Sequence, residues 1–170
     1  MSSDTYARDA RARFEAIVAD LYTDMYRYAA WLCRDRSIAE EVVQEALLRA
    51  WRAFDSLRDD KAAKPWLLTI VRRENARYFE RRRLETVDID GLTGAQTVFL
   101  AAGDDDRLGD VREAIFGLHD DYREPLVLQV LLGHSTDEIA GLMGISAAAV
   151  LTRLHRARKK LIAQFANDED

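Results

Sequence analysis

Ser135-Thr-Asp-Glu-Ile-Ala-Gly-Leu-Met-Gly-Ile-Ser146, continued by Ala147-Ala-Ala-Val-Leu-Thr-Arg-Leu-His-Arg-Ala-Arg-Lys-Lys-Leu161, is the stretch that decides the fold. Ser135 and Glu138 have capping-box spacing: the hydroxyl accepts from the Glu138 amide and the carboxylate reaches back to the Ser135 N–H. Ile139, Ala140, Leu142 and Met143 give the short helix that follows an apolar side. Gly144 is placed to end it in a left-handed conformation. Ile145 can plug the turn, and Ser146 can cap a second helix with Val150, Leu154 and Leu161 inward. Two helices joined by so short a glycine turn predict a helix-turn-helix, whose second helix lies in the major groove of a duplex with its N-terminal residues at base edges. That helix carries Thr152, Arg153, His155, Arg156, Arg158, Lys159 and Lys160 behind a small Ala147-Ala-Ala149 first turn that allows close approach. Arginine can bond guanine O6 and N7 together, and lysine meets phosphate.

Working back from this motif, helices are expected at about Leu108–Leu118 and Tyr122–Leu132, with Pro125 in the first turn of the latter, where its missing N–H costs little. Between Leu84 and Asp106 the helical pattern fails in a mixture of Gly, Thr and acidic residues. Structureless loops inside compact domains are mostly shorter than about 12–15 residues, so residues 85–107 read as a flexible acidic linker, with Val98, Phe99 and Leu100 able to dock. In the N-terminal half, Phe14, Ile17, Val18, Leu21, Tyr22, Met25, Tyr28, Ala29 and Leu32 recur at helical spacing. Ser37-Ile-Ala-Glu40 reads as another capping box, followed by the stripe Ala39, Val43, Ala46, Leu47, Ala50 and Trp51. Residues 55–64 are polar and break the pattern; Pro65 then suits the first turn of a third helix. Trp66, Leu67, Ile70, Val71 and Tyr78 form its apolar side, while Arg73, Arg77 and Arg81 recur every four positions along one exposed face.

Composition agrees with an all-α protein: 170 residues hold only 8 Gly and 2 Pro, and Ala, Leu, Arg and Glu dominate. No apolar run approaches the roughly 20 residues needed to span a bilayer, and residues 1–13 lack a signal-peptide core. With one cysteine, Cys33, no internal disulfide can form, and a cytoplasmic protein is expected. The net charge of −5 hides strong segregation. Residues 46–83 carry +6 and residues 143–163 carry +5, whereas residues 84–124 carry −8. A polyanion responds to such local basic blocks rather than to the total.

The motif Glu138-Ile-Ala-Gly-Leu-Met-Gly-Ile-Ser followed by Val150-Leu-Thr-Arg-Leu-His-Arg-Ala-Arg-Lys-Lys-Leu161 resembles the C-terminal DNA-reading region of the extracytoplasmic-function group of bacterial RNA polymerase sigma factors, and Tyr122-Arg-Glu-Pro-Leu-Val-Leu resembles its preceding helix. Ala39-Glu-Glu-Val-Val-Gln-Glu-Ala-Leu-Leu-Arg-Ala-Trp51 is similar to the polymerase-binding helix of that group, and Pro65-Trp-Leu-Leu-Thr-Ile-Val-Arg-Arg-Glu-Asn75 through Arg83 to its promoter-melting helix. The likeness covers roughly residues 14–83 and 108–163. It implies an N-terminal domain over 1–84, a linker over 85–107 and a C-terminal helix-turn-helix domain over 108–170.

By position, the resemblance implies that Glu40, Glu41, Gln44 and Glu45 meet the clamp helices of the polymerase β′ subunit, with the β subunit as a further contact. It implies that Arg58, Lys61, Lys64, Arg72, Arg73, Asn75, Arg77, Tyr78, Arg81 and Arg82 hold the minus-ten element as a separated strand, whose bases can leave the stack while cations track the backbone. Trp66 is assigned to packing. Thr152, His155 and Arg156, supported by Arg153 and Lys159, would read the minus-thirty-five element as duplex. Core RNA polymerase, promoter DNA and an anti-sigma factor are the implied partners; no cofactor, metal or membrane insertion is implied. Two positions depart from the group's pattern: Leu151 stands where a basic residue is common, and Leu118-His119 replaces a common Leu-Pro pair.

Two other functions compete. A helix-turn-helix regulator could bind duplex DNA without polymerase, but it leaves the basic third helix unexplained. An enzyme is disfavoured because His119, His134 and His155 lie far apart without metal-ligand spacing, and Cys33 has no base near it in sequence.

Overall fold

The computed structural model describes the backbone of residues 2–86 and 106–167 and the side chains of residues 5–85 and 109–166. Every regular element among these residues is helical: α1 (Ser2–Cys33), α2 (Arg36–Arg52), two short 3-10 turns (Phe54–Ser56 and Asp60–Ala62), α3 (Ala63–Thr86), α4 (Asp106–Gly117), α5 (Asp120–Val130), α6 (Thr136–Met143) and α7 (Ala147–Asn167). The stretch expected to be a linker lies almost entirely outside the described residues, and so do Val98, Phe99 and Leu100. None of the described helices is long and apolar enough to cross a membrane.

The helices fall into two compact units, the first holding α1, α3 and α2 from Ser37 onward, the second α4 to α7. In the first, Met25, Tyr28 and Ala29 of α1, Val42, Val43 and Ala46 of α2, and Leu67, Leu68 and Val71 of α3 are buried. These are the inward positions of three amphipathic helices, and their removal from water drives the packing. A second cluster closes one end: Phe54, Leu57 and Ala63 are buried, and Phe14, Ile17, Leu21 and Trp66 pack against them. Trp66 is therefore a packing residue, in line with the sequence reading. In the second unit, Leu126, Val127, Leu128, Ile139, Leu142, Val150, Leu154 and Ala157 form the core.

Four local expectations need correction. The first helix begins at Ser2 rather than near residue 14, because its polar N-terminal part continues with helix-forming residues and an Arg11–Glu15 pair one turn apart at 2.8 Å. Helix α2 starts at Arg36, so Ser37 lies inside its first turn and is not its cap. Pro125 is the sixth residue of α5, beyond the first turn. There its ring removes a helical donor, and it is tolerated at a buried position among Arg123, Glu124 and Leu126. Trp51 and Tyr22, read as inward, remain 44% and 43% exposed.

Candidate nucleic-acid interface

The C-terminal motif is built by local hydrogen bonds. Ser135 Oγ accepts from the Glu138 N–H at 3.2 Å, and Glu138 Oε2 accepts from the Ser135 N–H at 2.7 Å, so the capping box is complete. That backbone donor is the main reason the Glu138 carboxyl is held below its ordinary value; His134, with Nδ1 3.4 Å from Oε2, acts in the same direction. Gly144 ends α6 at φ 65°, and the N–H groups of Gly144 and Ile145 both donate to the Ala140 carbonyl. Ser146 Oγ accepts from the Ala149 N–H at 3.1 Å and caps α7. Val150, Leu154 and Ala157 then bury one stripe of α7 against the core, which fixes the rotation of the helix and presents the opposite stripe.

Along α7, Thr152, His155, Arg156 and Lys159 are exposed. His155, Arg156 and Lys159 make no ion pair or hydrogen bond among the described residues. The Thr152 hydroxyl donates to the Ala148 carbonyl at 3.0 Å, which leaves its oxygen as an acceptor toward solvent. Arg153 is turned aside: its side chain is only 28% exposed and its Nη1 sits 3.1 Å from Asp121. Arg158 donates to Gln129, and Lys160 lies 5.7 Å above the Tyr122 ring, so both brace α7 on α5. Leu151 is 58% exposed beside this row.

Behind the motif, the frame depends on a buried cation. Arg123 is 3% exposed and donates through Nη1 to the Phe116 carbonyl at 3.2 Å and the Leu118 carbonyl at 3.0 Å, and through Nη2 to Asp120. It thereby satisfies orphan acceptors at the end of α4. Burial lowers its pKa and Asp120 opposes the shift. His119, at the position of the Leu-Pro departure, caps α5: its Nδ1 accepts from the Asp121 N–H at 3.3 Å.

In the N-terminal unit, Arg73, Arg77, Arg81 and Arg82 are exposed on α3, while Arg72, Asn75 and Tyr78 are half-buried. Asn75 Oδ1 accepts from Cys33 Sγ at 3.1 Å, which ties it to α1. The Tyr78 hydroxyl accepts from Arg82 at 2.9 Å. Lys64 is paired with Asp24 at 2.9 Å, whereas Arg58 and Lys61 are exposed in the loop before α3. That loop is pinned from α1: Arg13 donates to Asp60 Oδ1 through Nε at 2.8 Å and to the Leu57 carbonyl at 3.1 Å. The Asp60 bond raises the Arg13 pKa. Arg13 also covers the Phe54 ring at 4.9 Å. Sequence spacing gave no sign of Arg13, which acts across 47 residues.

On α2, Glu40, Glu41 and Gln44 are exposed and Glu45 is half-buried. Leu48 and Trp51, next along the helix, are 52% and 44% exposed. Trp51 packs against Phe14 with ring centres 5.1 Å apart and stacks on Phe54 at 6.1 Å, yet keeps 44% of its surface exposed. Among the described residues, no group of His, Cys, Asp and Glu is placed to hold a metal ion.

Residues 17–85 match sigma-70 region 2, and residues 108–161 match sigma-70 region 4. The chain is 33% identical over 138 residues to the ECF RNA polymerase sigma factor EcfG of Rhodopseudomonas palustris, covering 80% of this chain and 76% of that one. It is 30% identical over 153 residues to SigM of Bacillus subtilis, covering 86% and 93%. Among solved structures, the sigma factor RpoE in complex with the anti-sigma factor NepR from Bartonella quintana is similar at a TM-score of 0.80 and 29% identity, over 88% of this chain and 94% of that one. CnrH, in complex with the cytosolic domain of CnrY, is similar at a TM-score of 0.69 and 25% identity, over 95% of each chain. A match to both regions, in this order, is what a stand-alone helix-turn-helix regulator lacks, and the chain belongs to the extracytoplasmic-function group of the sigma-70 family of RNA polymerase sigma factors.

Proposed function

We propose that residues 1–84 form the domain that docks on core RNA polymerase and holds the melted minus-ten element, that residues 85–107 link it to the rest, and that residues 108–170 form the domain that reads the minus-thirty-five element. The protein acts by binding: it directs core polymerase to particular promoters in the cytoplasm and helps open them, while RNA synthesis belongs to the polymerase and not to this chain. The observation that carries this reading is the pair of basic helices, α3 and α7, one in each unit. Two separate cationic surfaces fit one promoter gripped at two elements.

Three features of α7 support duplex reading: a rigid N-terminus, an uncluttered row of Thr152, His155, Arg156 and Lys159, and burial of the opposite stripe. Arg156 is the strongest candidate for a base contact because its fork can bond guanine O6 and N7 together and makes no ion pair or hydrogen bond among the described residues; Arg153, tied to Asp121, is assigned to support. On α3 and its loop, Arg58, Lys61, Lys64, Arg72, Arg73, Asn75, Arg77, Tyr78, Arg81 and Arg82 are assigned to the single strand. Among them Arg58, Lys61, Arg73 and Arg81 are exposed and their side chains make no ion pair or hydrogen bond among the described residues. Glu40, Glu41, Gln44 and Glu45 are assigned to the β′ clamp helices, where acid suits a basic partner and exposed Leu48 and Trp51 supply the apolar anchor that an interface needs. The β subunit is a second polymerase contact. An anti-sigma factor is the proposed regulator, as the similar chains RpoE and CnrH were each solved with a partner bound.

The test is in vitro transcription with core polymerase on a promoter library. Initiation at a defined set of sites, dependent on this chain, is the expected result. If the chain neither joins core polymerase nor changes where RNA chains start, the assignment is wrong.

A further inference from the structure

We propose that the groove between α2 and α3 is a phosphodiester site for a single nucleic-acid strand, formed by Arg49, Arg52, Arg73 and Arg77 around the buried carboxylate of Glu74. It rests on the single-strand reading of α3 and extends that site onto α2, with Arg49 and Arg52 as new members. The groove has a volume of about 280 Å³, and Ile70 supplies an apolar wall. That volume lies just below the range of about 300–1,000 Å³ typical of small-molecule sites, which suits a phosphate with its sugar rather than a larger ligand.

Glu74 is 3% exposed, and a carboxylate so deep is tolerated only when its charge is paired. Arg49 Nε approaches its Oε1 at 2.5 Å and Arg77 Nη1 approaches the same oxygen at 2.6 Å. Both arginine side chains are nevertheless 48% exposed. Each guanidinium has five N–H donors in a fixed fork. One edge is thus held by Glu74 while the remaining donors face the groove, already oriented. Arg52 and Arg73 line the same groove and make no ion pair or hydrogen bond among the described residues. Four guanidinium groups against one carboxylate leave a surplus of positive charge, and planar forks match phosphate oxygens two at a time. Glu74 is a positioning residue here: it touches no ligand and aims two that do. A strand is favoured over a free nucleotide because Arg81 continues the spacing of Arg73 and Arg77 along α3, a row suited to successive phosphates.

The experiment uses holoenzyme assembled from the full chain and core polymerase, with a labelled single-stranded minus-ten oligonucleotide and affinity measured across a salt series. Arg52→Gln, at an exposed position with no partner among the described residues, should leave the thermal melt of the chain unchanged. It should weaken binding equally for all sequences and flatten the plot of log affinity against log salt by about 0.7, the loss of one single-strand phosphate contact. Arg49→Gln should flatten the plot likewise but lower the melt, because it strips one of the two cations from the buried Glu74 carboxylate. Arg81→Gln is the control for the underlying reading. If it flattens the plot while Arg49→Gln and Arg52→Gln do not, α3 holds a strand but the groove is no part of the site, and the proposal fails. If none of the three alters binding, the single-strand reading fails with it. A nucleoside diphosphate supplies the same chemistry from another source. If it binds wild-type holoenzyme in the groove, losing affinity in Arg52→Gln, while the strand's salt plot stays unchanged in that variant, the groove is a nucleotide site and the strand assignment is overturned.

Discussion

Each unit buries a charge, and the two charges do opposite jobs. In the N-terminal unit the buried ion is an anion, Glu74, and it grips two arginines that also face solvent. In the C-terminal unit the most deeply buried ion is a cation, Arg123, and it grips the carbonyls that end α4 rather than a residue of the exposed row on α7. The first arrangement ties the frame to the working surface; the second separates them. The difference suits the ligands proposed for each. A single strand is flexible, so its cations gain from being aimed in advance. A duplex is rigid, so a helix held firmly from behind can leave Arg156 and Lys159 free to find their partners.

The largest expected effect tests whether the C-terminal frame and surface are separate. Arg123→Ala removes the hydrogen bonds that Arg123 gives to the Phe116 and Leu118 carbonyls, at a cost of about 3 kcal/mol for the pair. Trp31, Trp51 and Trp66 all lie in the N-terminal unit. Tryptophan fluorescence should therefore follow the N-terminal unit alone, and circular dichroism should follow both. An early helical loss by circular dichroism, with an unshifted tryptophan transition, is the expected signature; a shift of both transitions would mean that the frames are not independent.

Next in size is Arg156→Ala, which should cost about 1–3 kcal/mol of discrimination between minus-thirty-five sequences and leave the melt unchanged. Promoter-library selection reads this directly. Unchanged preference would remove Arg156 from the reading set and weaken the contrast drawn above.

Gly144→Ala should destabilise the C-terminal unit by about 1–2 kcal/mol. The site has open space for a methyl group, so the cost is backbone strain at φ 65° alone. Chemical denaturation checks it, and a neutral result would show that the turn can relax.

The smallest effect is a pH dependence confined to the C-terminal unit. The folded-state pKa of Glu138 is depressed, chiefly by the Ser135 N–H. Its contribution is therefore present above the ordinary carboxylate value of 4.5 and fades as pH falls through the lower folded value. Thermal melts from neutral to acid pH should show a loss that Glu138→Gln abolishes, because glutamine can still accept from Ser135 but does not titrate. An identical acid response in that variant would assign the loss to other carboxylates.

The helix-turn-helix was legible almost residue by residue, since its signals are local. Ser135, Glu138, Gly144 and Ser146 act on backbone groups within four positions, and spacing alone identifies them. The N-terminal site was legible in composition but not in detail. Arg73, Arg77 and Arg81 announced a basic face, yet nothing in their spacing revealed that Arg77 shares a carboxylate with Arg49, or that Arg153 on α7 would be drawn off to Asp121. The misread positions have a common cause: Trp51 and Tyr22 look inward by period, but they lie at the edge of the packed surface and stay half open.

The sequence by itself determined the helices, the helix-turn-helix with its caps, the segregation of charge and, through motif order, the family. These follow from periodicity, from hydrogen bonds between near neighbours and from composition, all of which are written along the chain. Only the tertiary structure decided which charges are occupied and which are offered. Arg13 finds Asp60, Arg49 finds Glu74 and Arg153 finds Asp121 because helix packing brings distant positions within bonding distance, and a pairing across packed helices has no fixed spacing in sequence.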